Sequence, residues 1–249
     1  MATTPAERLL QSLGIEAPEE IDLQAIAWSL GALVKHRPLD GCEAMIVGSH
    51  RRAVIAVNSQ SMPTRQRFSI GHEIGHWHMH KGRMLFCSGR EMDRPTSGPL
   101  NPEQQADAFA SDLLLPNYIF RPVATSIRRL NLKAAREVAD RFKASLSATL
   151  SKLVAVDRFP IVIVRHGQRG RTWFARSQHL PGYWFPRAEL DAESPAFDLL
   201  FRGGKEDTFP RKIGADAWFD FRGADRHELQ EQSFALPNNE IMTLLILPD

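Results

Sequence analysis

The stretch His72-Glu73-Ile74-Gly75-His76 constrains this chain more than any other. Histidines four residues apart project from one face of a helix, one turn apart, and only a helix brings them together at that spacing. Two imidazoles so placed can grip one zinc ion, while the glutamate between them lies beside the metal rather than on it. There it has the chemistry of a general base, drawing a proton from a water that attacks a carbonyl. The competing reading is a histidine-rich surface helix that carries the pattern by accident. Phe68, Ile70 and Ile74 weigh against it, because they supply the apolar side of a buried helix.

A catalytic zinc usually has three protein ligands and one open position. Pro63 suits the first residue of the motif helix, which is expected to stop near Gly82. Asn101 and Pro102 form an N-cap and N1 pair for the next helix, which Pro116 closes. That helix carries Glu103 and Asp107 at i and i+4. Glu103 is expected to be the third metal ligand, and Asp107 to accept the free ring N–H of His72 or His76. The bland alternatives are a first-turn acid complementing the helix dipole and a solvated charge.

Cys87 falls in the Gly- and Pro-rich loop between the two helices. Its thiolate is a candidate inhibitory fourth ligand, against the reading of an ordinary loop cysteine. His78 and His80 read as helix-end residues that suit the C-terminal dipole. Tyr118 is either a donor to a developing oxyanion or a tyrosine packed at a seam.

Elsewhere the periodicity predicts helices over 6–13 and 22–31 and strands over 33–39, 43–47 and 53–58. Further helices are expected over 122–130, 132–143 and 145–154, and strands over 161–165, 172–176, 228–236 and 241–247, the last two joined at Pro237-Asn238-Asn239. The fold class is therefore α+β, with cuts near 120 and 158.

Between 121 and 143 seven basic residues (Arg121, Arg128, Arg129, Lys133, Arg136, Arg141, Lys143) face two acids, Glu137 and Asp140, in a chain of net charge +2. This patch can meet phosphates or simply be solvated. The last two helices of that region have helix-turn-helix spacing, yet Lys152 is the only strong base reader on the second. Trp173, Tyr183, Trp184, Phe185 and Trp218 line either a ligand pocket or the core of a small α+β domain.

Composition narrows the class further. With 43% hydrophobic and 24% charged residues, the chain is ordinary for a globular protein, and its net charge announces no nucleic-acid partner. No apolar run approaches the ~20 residues of a membrane span. The N-terminus lacks a basic segment followed by an apolar one, and Cys42 and Cys87 are the only cysteines. Both point to a cytoplasmic protein without a membrane partner.

Arg67-Phe68-Ser69-Ile70-Gly71-His72-Glu73-Ile74-Gly75-His76 and, some twenty-five residues later, Glu103 to Pro116 (EQQADAFASDLLLP) resemble the ImmA/IrrE family of bacterial metallo-endopeptidases. The upstream Ala53 to Asn58 strand and the short N-terminal helices match as well, and the likeness is firm over roughly residues 5–120. It implies a zincin-like, gluzincin-type site with Zn2+ held by His72, His76 and Glu103, and with Glu73 as base.

The resemblance departs at Asp107, where many relatives carry Asn. It further implies a peptidase domain over 1–120, a helix-turn-helix-like segment over 121–157 and a GAF-like sensor domain over 158–249. The implied substrate is a helix-turn-helix (XRE-type) transcriptional repressor, cleaved to relieve repression in stress, DNA-damage or phage-defence responses, with single-stranded DNA as a candidate activator. The rival is a non-proteolytic, metal-stabilised regulator that sequesters a repressor or binds DNA. Substrates of zincin-like sites usually lie along an edge strand, for which Ala53 to Asn58 is the natural candidate.

Overall fold

The computed structural model describes residues 2–49, 51–80 and 101–248. The chain separates into two compact units, Met1–Phe120 with Asp140–Ser145, and Arg121–Ala139 with Leu146–Asp249. The architecture is mixed α+β, as expected.

In the first unit, helix α1 (Pro5–Ser12) starts at a capping box in which the Thr4 hydroxyl accepts from the Glu7 N–H and the Glu7 carboxylate accepts from the Thr4 N–H. The second oxygen of Glu7 accepts the Asn117 N–H at 2.6 Å, so one buried acid ties two segments 110 residues apart. Helix α2 (Leu23–Ser29) is capped by Asp22, as its sequence predicts.

Three strands follow: β1 (Ala32–Arg37), β2 (Ala44–Ser49) and β3 (Arg52–Asn58). Their order is β1-β3-β2, with β3 parallel to β1 and antiparallel to β2. This corrects the reading of 53–58 as an edge. Both sides of β3 are hydrogen-bonded, so its backbone has no free ladder to offer a substrate strand. The fully buried Ile55 and Val57 and the nearly buried Ala56 explain why this apolar run takes the centre.

Helix α3 (Pro63–Met79) packs on this sheet and against helix α4 (Pro102–Leu114). The α3–α4 seam is built from small residues. A Cβ at Gly71 would lie 3.3 Å from the Ala110 Cβ, and one at Gly75 would lie 3.2 Å from the Ala106 Cα. Glycine at these two positions, one turn apart, lets the helix backbones close to a separation that any larger side chain would oppose. Asn101 caps α4 in a capping box with Gln104.

Helix α5 (Asn117–Ser126) begins five residues before Pro122, which the sequence reading takes as its start. The ring therefore sits inside the helix, where one backbone hydrogen bond is forgone. Helices α6 (Leu132–Phe142) and α7 (Leu146–Val156) are joined by three residues, of which Lys143 takes a positive φ of 51°.

The second unit contains a five-stranded antiparallel sheet of order β5-β4-β8-β7-β6. Its strands are β4 (Ile161–Gly167), β5 (Gly170–Arg176), β6 (Arg211–Gly214), β7 (Glu228–Leu236) and β8 (Glu240–Ile246). Asn238 and Asn239 both have positive φ and close the β7–β8 hairpin, as the Pro-Asn-Asn turn predicts. Helix α8 (Pro195–Phe201) and β6 are too short to show a period and were not anticipated. The core of this unit gathers Val162, Val164, Trp184, Trp218, Phe219, Leu229 and Leu245.

Candidate metal centre

His72 and His76 lie one turn apart on α3, and their Nε2 atoms are 2.9 Å apart. Glu103, in the first turn of α4, brings Oε2 to 3.2 Å from His72 Nε2 and Oε1 to 3.3 Å from His76 Nε2. Two imidazole nitrogens and the two oxygens of one carboxylate thus close a triangle of three residues, with contacts of 2.9 to 3.3 Å. A tetrahedral zinc with bonds of ~2.0–2.2 Å separates its ligands by about 3.3 Å, so the donor set and its spacing fit such an ion. Among the described residues, His72, His76 and Glu103 form the group able to hold a metal.

The surroundings support the same chemistry. His72 Nδ1 is 2.8 Å from Asp107 Oδ1. A carboxylate can only accept, so the ring proton sits on Nδ1 and the Nε2 lone pair faces the triangle. Burial drives the His72 imidazole toward its neutral form, but the Asp107 hydrogen bond and then the charges of Glu73, Asp107 and Glu103 outweigh it, and its pKa is raised overall. The pKa of His76 is lowered, first by burial and then by the charge of His72.

Glu73 is 2% exposed and His76 1%, and α3 is buried from Ser69 to Trp77. This excludes the reading of the motif as an accident on a surface helix. Trp77 anchors that buried face by donating from Nε1 to the Leu30 carbonyl.

Other sequence candidates fare differently. Asp107 reaches His72, not His76. Tyr118 donates its hydroxyl to the Ile15 carbonyl at 2.5 Å, the packed role rather than an oxyanion donor. Cys87, the candidate fourth ligand, lies outside the described residues. His78 packs its ring against Phe109, away from the triangle. His80 ends the helix as its C-cap, as read from sequence, and also places Nδ1 3.4 Å from His76 Nδ1 and Nε2 3.1 Å from Gln105 Oε1. The signal for His80 was present in the spacing, since 72, 76 and 80 fall on one helical stripe. Gln105 could be found only from the packing of α4.

The five aromatics of the second unit do not share one buried site, although Trp184 and Trp218 lie in the same core. Trp184 and Trp218 are buried, whereas Trp173, Tyr183 and Phe185 are 44%, 54% and 53% exposed. A cavity of about 360 Å³ in this unit is lined by other residues, including His166, Arg169, Glu189, Phe197 and Phe201. In the basic stretch, Arg136 pairs with Glu206 and Arg141 with Glu19, so part of its charge is spent within the chain.

The helix pair presents two histidines and a carboxylate to one point, a group able to hold a metal ion. The model of the peptidase M78 family, described as the IrrE N-terminal-like domain, matches residues 29–154, just over half of the 249 residues. The chain belongs to that metallopeptidase family.

A Mycobacterium tuberculosis transcriptional regulator shares the fold at a TM-score of 0.54 and 13% identity, over 97% of this chain and 86% of that one. No curated protein matches the chain. No helix among the described residues is long and apolar enough to cross a membrane.

Proposed function

We propose that the chain is a zinc-dependent endopeptidase of narrow specificity, whose substrate is a helix-turn-helix (XRE-type) transcriptional repressor. The observation that carries the peptidase reading is the ligand triangle of 2.9, 3.2 and 3.3 Å, beside which the buried Glu73 follows His72 directly. A purely structural zinc site usually closes four protein ligands and has no use for a base. Membership of the M78 family supports the same reading.

A bound zinc would polarise the scissile carbonyl and acidify water. His72, His76 and Glu103 would hold it, and Asp107 keeps the His72 lone pair turned inward. Glu73 accepts the water proton as the oxygen bonds to the carbonyl carbon. It then delivers that proton to the leaving amine as the C–N bond breaks. Burial of Glu73 keeps bulk water from competing for the proton.

The regulatory half rests on kinship with IrrE-like proteins and agrees with the description of the M. tuberculosis chain as a transcriptional regulator. On this reading residues 1–120 are a zincin-like peptidase domain, 121–157 a helix-turn-helix-like segment and 158–249 a GAF-like sensor. The protein acts in the cytoplasm, with single-stranded DNA as the candidate activator.

The test is co-expression with the repressor gene nearest its own, with and without DNA damage, comparing wild type and Glu73→Gln by mass spectrometry. Repressor cut at one site by wild type alone supports the proposal, provided both proteins carry equal zinc. A repressor left whole by both, with the damage response fired, favours sequestration of the repressor without cleavage.

A further inference from the structure

The two imidazoles of the triangle are held in different ways. His72 leans on a carboxylate, whereas the outer nitrogen of His76 meets another histidine, His80, at 3.4 Å, and His80 meets the side-chain oxygen of Gln105 at 3.1 Å. The direction of both hydrogen bonds follows from the Gln105 oxygen. An amide oxygen only accepts, so His80 must carry its proton on Nε2 and donate it to Gln105. With that proton on Nε2, His80 Nδ1 is the acceptor for the proton of His76 Nδ1. With its proton held there, His76 turns its Nε2 lone pair to the same point that the His72 Nε2 lone pair and the Glu103 carboxylate face, three acceptors that a cation can bridge. One amide oxygen on α4 thus sets the tautomers of two rings in series.

We propose that His80 and Gln105 are positioning residues that fix the tautomer and ring orientation of His76 for metal binding. The inference rests on the metal-site reading and deepens it, since both residues act through His76 and neither supplies an atom to the ligand triangle. His80 is suited to the task by its place as the C-cap of α3, eight residues past His72 and on the same stripe. Its ring lies tilted against that of His76, with centroids 5.5 Å apart. A histidine relay also has a different consequence from a carboxylate. It orients the ring without adding a negative charge, so among the described residues Asp107 is the outer acid that meets a ligand imidazole of the site.

The experiment compares zinc affinity by chelator competition in wild type, His80→Phe, His80→Asn and Gln105→Met, with the unfolding temperature of each metal-free protein measured in parallel. Asn at position 80 restores an acceptor near the place of the histidine Nδ1, whereas Phe fills the space without one. The expected result is zinc binding weakened about 10- to 100-fold in His80→Phe and less in Gln105→Met, with most of the affinity returned in His80→Asn. Unchanged affinity in His80→Phe, or equal loss in the Phe and Asn variants, overturns the proposal.

If His80→Phe does not fold, Gln105→Met decides alone, and wild-type affinity there overturns it too. A wild-type protein that binds no zinc, or one unaffected by His76→Ala, instead refutes the metal centre itself.

Discussion

Replacing Gly75 by alanine tests whether the α3–α4 seam sets the metal geometry. The added Cβ would stand 3.2 Å from the Ala106 Cα and 3.2 Å from the Phe109 Cβ. Carbon pairs rest at about 3.5–4.0 Å, so the helices must part locally by about 0.3–0.8 Å. Ala106 is backbone at the contact and cannot swing aside as a flexible side chain would.

Glu103 lies one turn earlier on the same helix, so the displacement is carried to the triangle. There it exceeds the ~0.2 Å within which metal–ligand distances are held. Stability is nearly balanced: overpacking costs about 1–3 kcal/mol, and alanine returns about 0.8–1.0 kcal/mol of helix propensity over glycine. The fold should therefore survive with a net loss of about 0–2 kcal/mol, while zinc affinity falls at least about tenfold.

Chelator competition gives the affinity and urea unfolding of the metal-free protein gives the stability. Gly71→Ala, whose Cβ would meet the Ala110 side chain at 3.3 Å and farther from Glu103, should lose less. Zinc affinity in Gly75→Ala within twofold of wild type would refute the argument that this seam positions Glu103.

Asp107→Ala should weaken zinc binding about 10- to 100-fold, and Asp107→Asn far less because its amide oxygen still accepts from His72; chelator competition separates the two. His166 is fully buried, and burial followed by the charge of Arg171 lowers its pKa to about 4. The folded chain therefore refuses a proton that the unfolded chain takes below about pH 6.5. Stability should fall by about 3 kcal/mol as pH drops from 6.5 towards 4, and His166→Gln should lose that much less in urea unfolding across the same range. In the same unit, buried Glu231 accepts from Trp218 Nε1, Ser194 Oγ and the Ala196 N–H. Trp218→Phe strands one carboxylate oxygen, and urea unfolding should register a loss of about 1–3 kcal/mol.

What could be read from the sequence and what could not divide along a physical line. Caps and helix-borne spacings are local, decided within four residues, and Asp22, Pro63 and Asn101 stand where their chemistry places them. Strand order is not local. The run from Ala53 to Asn58 looks the same in sequence at an edge or at a centre, and only the parallel partner β1, some twenty residues earlier, makes it central. Helix α5 shows the limit of a local rule. Pro122 is a favoured first residue, but Pro116 and the Asn117 tie to Glu7 start the helix a turn earlier.

The relay behind His76 shows why the surroundings of a metal centre are harder to read than its ligands. Ligand spacing on α3 is dictated by the helix itself, because the ion needs two donors one turn apart. His80 obeys the same period, but its role depends on what faces it, and that is settled by the register of α4 against α3. Gly71 and Gly75 settle the register by admitting Ala110 and Ala106. The two glycines of the motif segment therefore do two things at once: they bring Glu103 to the histidines, and they bring Gln105 to His80. If so, Gly75→Ala and Gln105→Met should not add in their effect on zinc affinity. A glycine variant that already pulls α4 away has broken the Gln105 contact, and the second substitution has little left to remove.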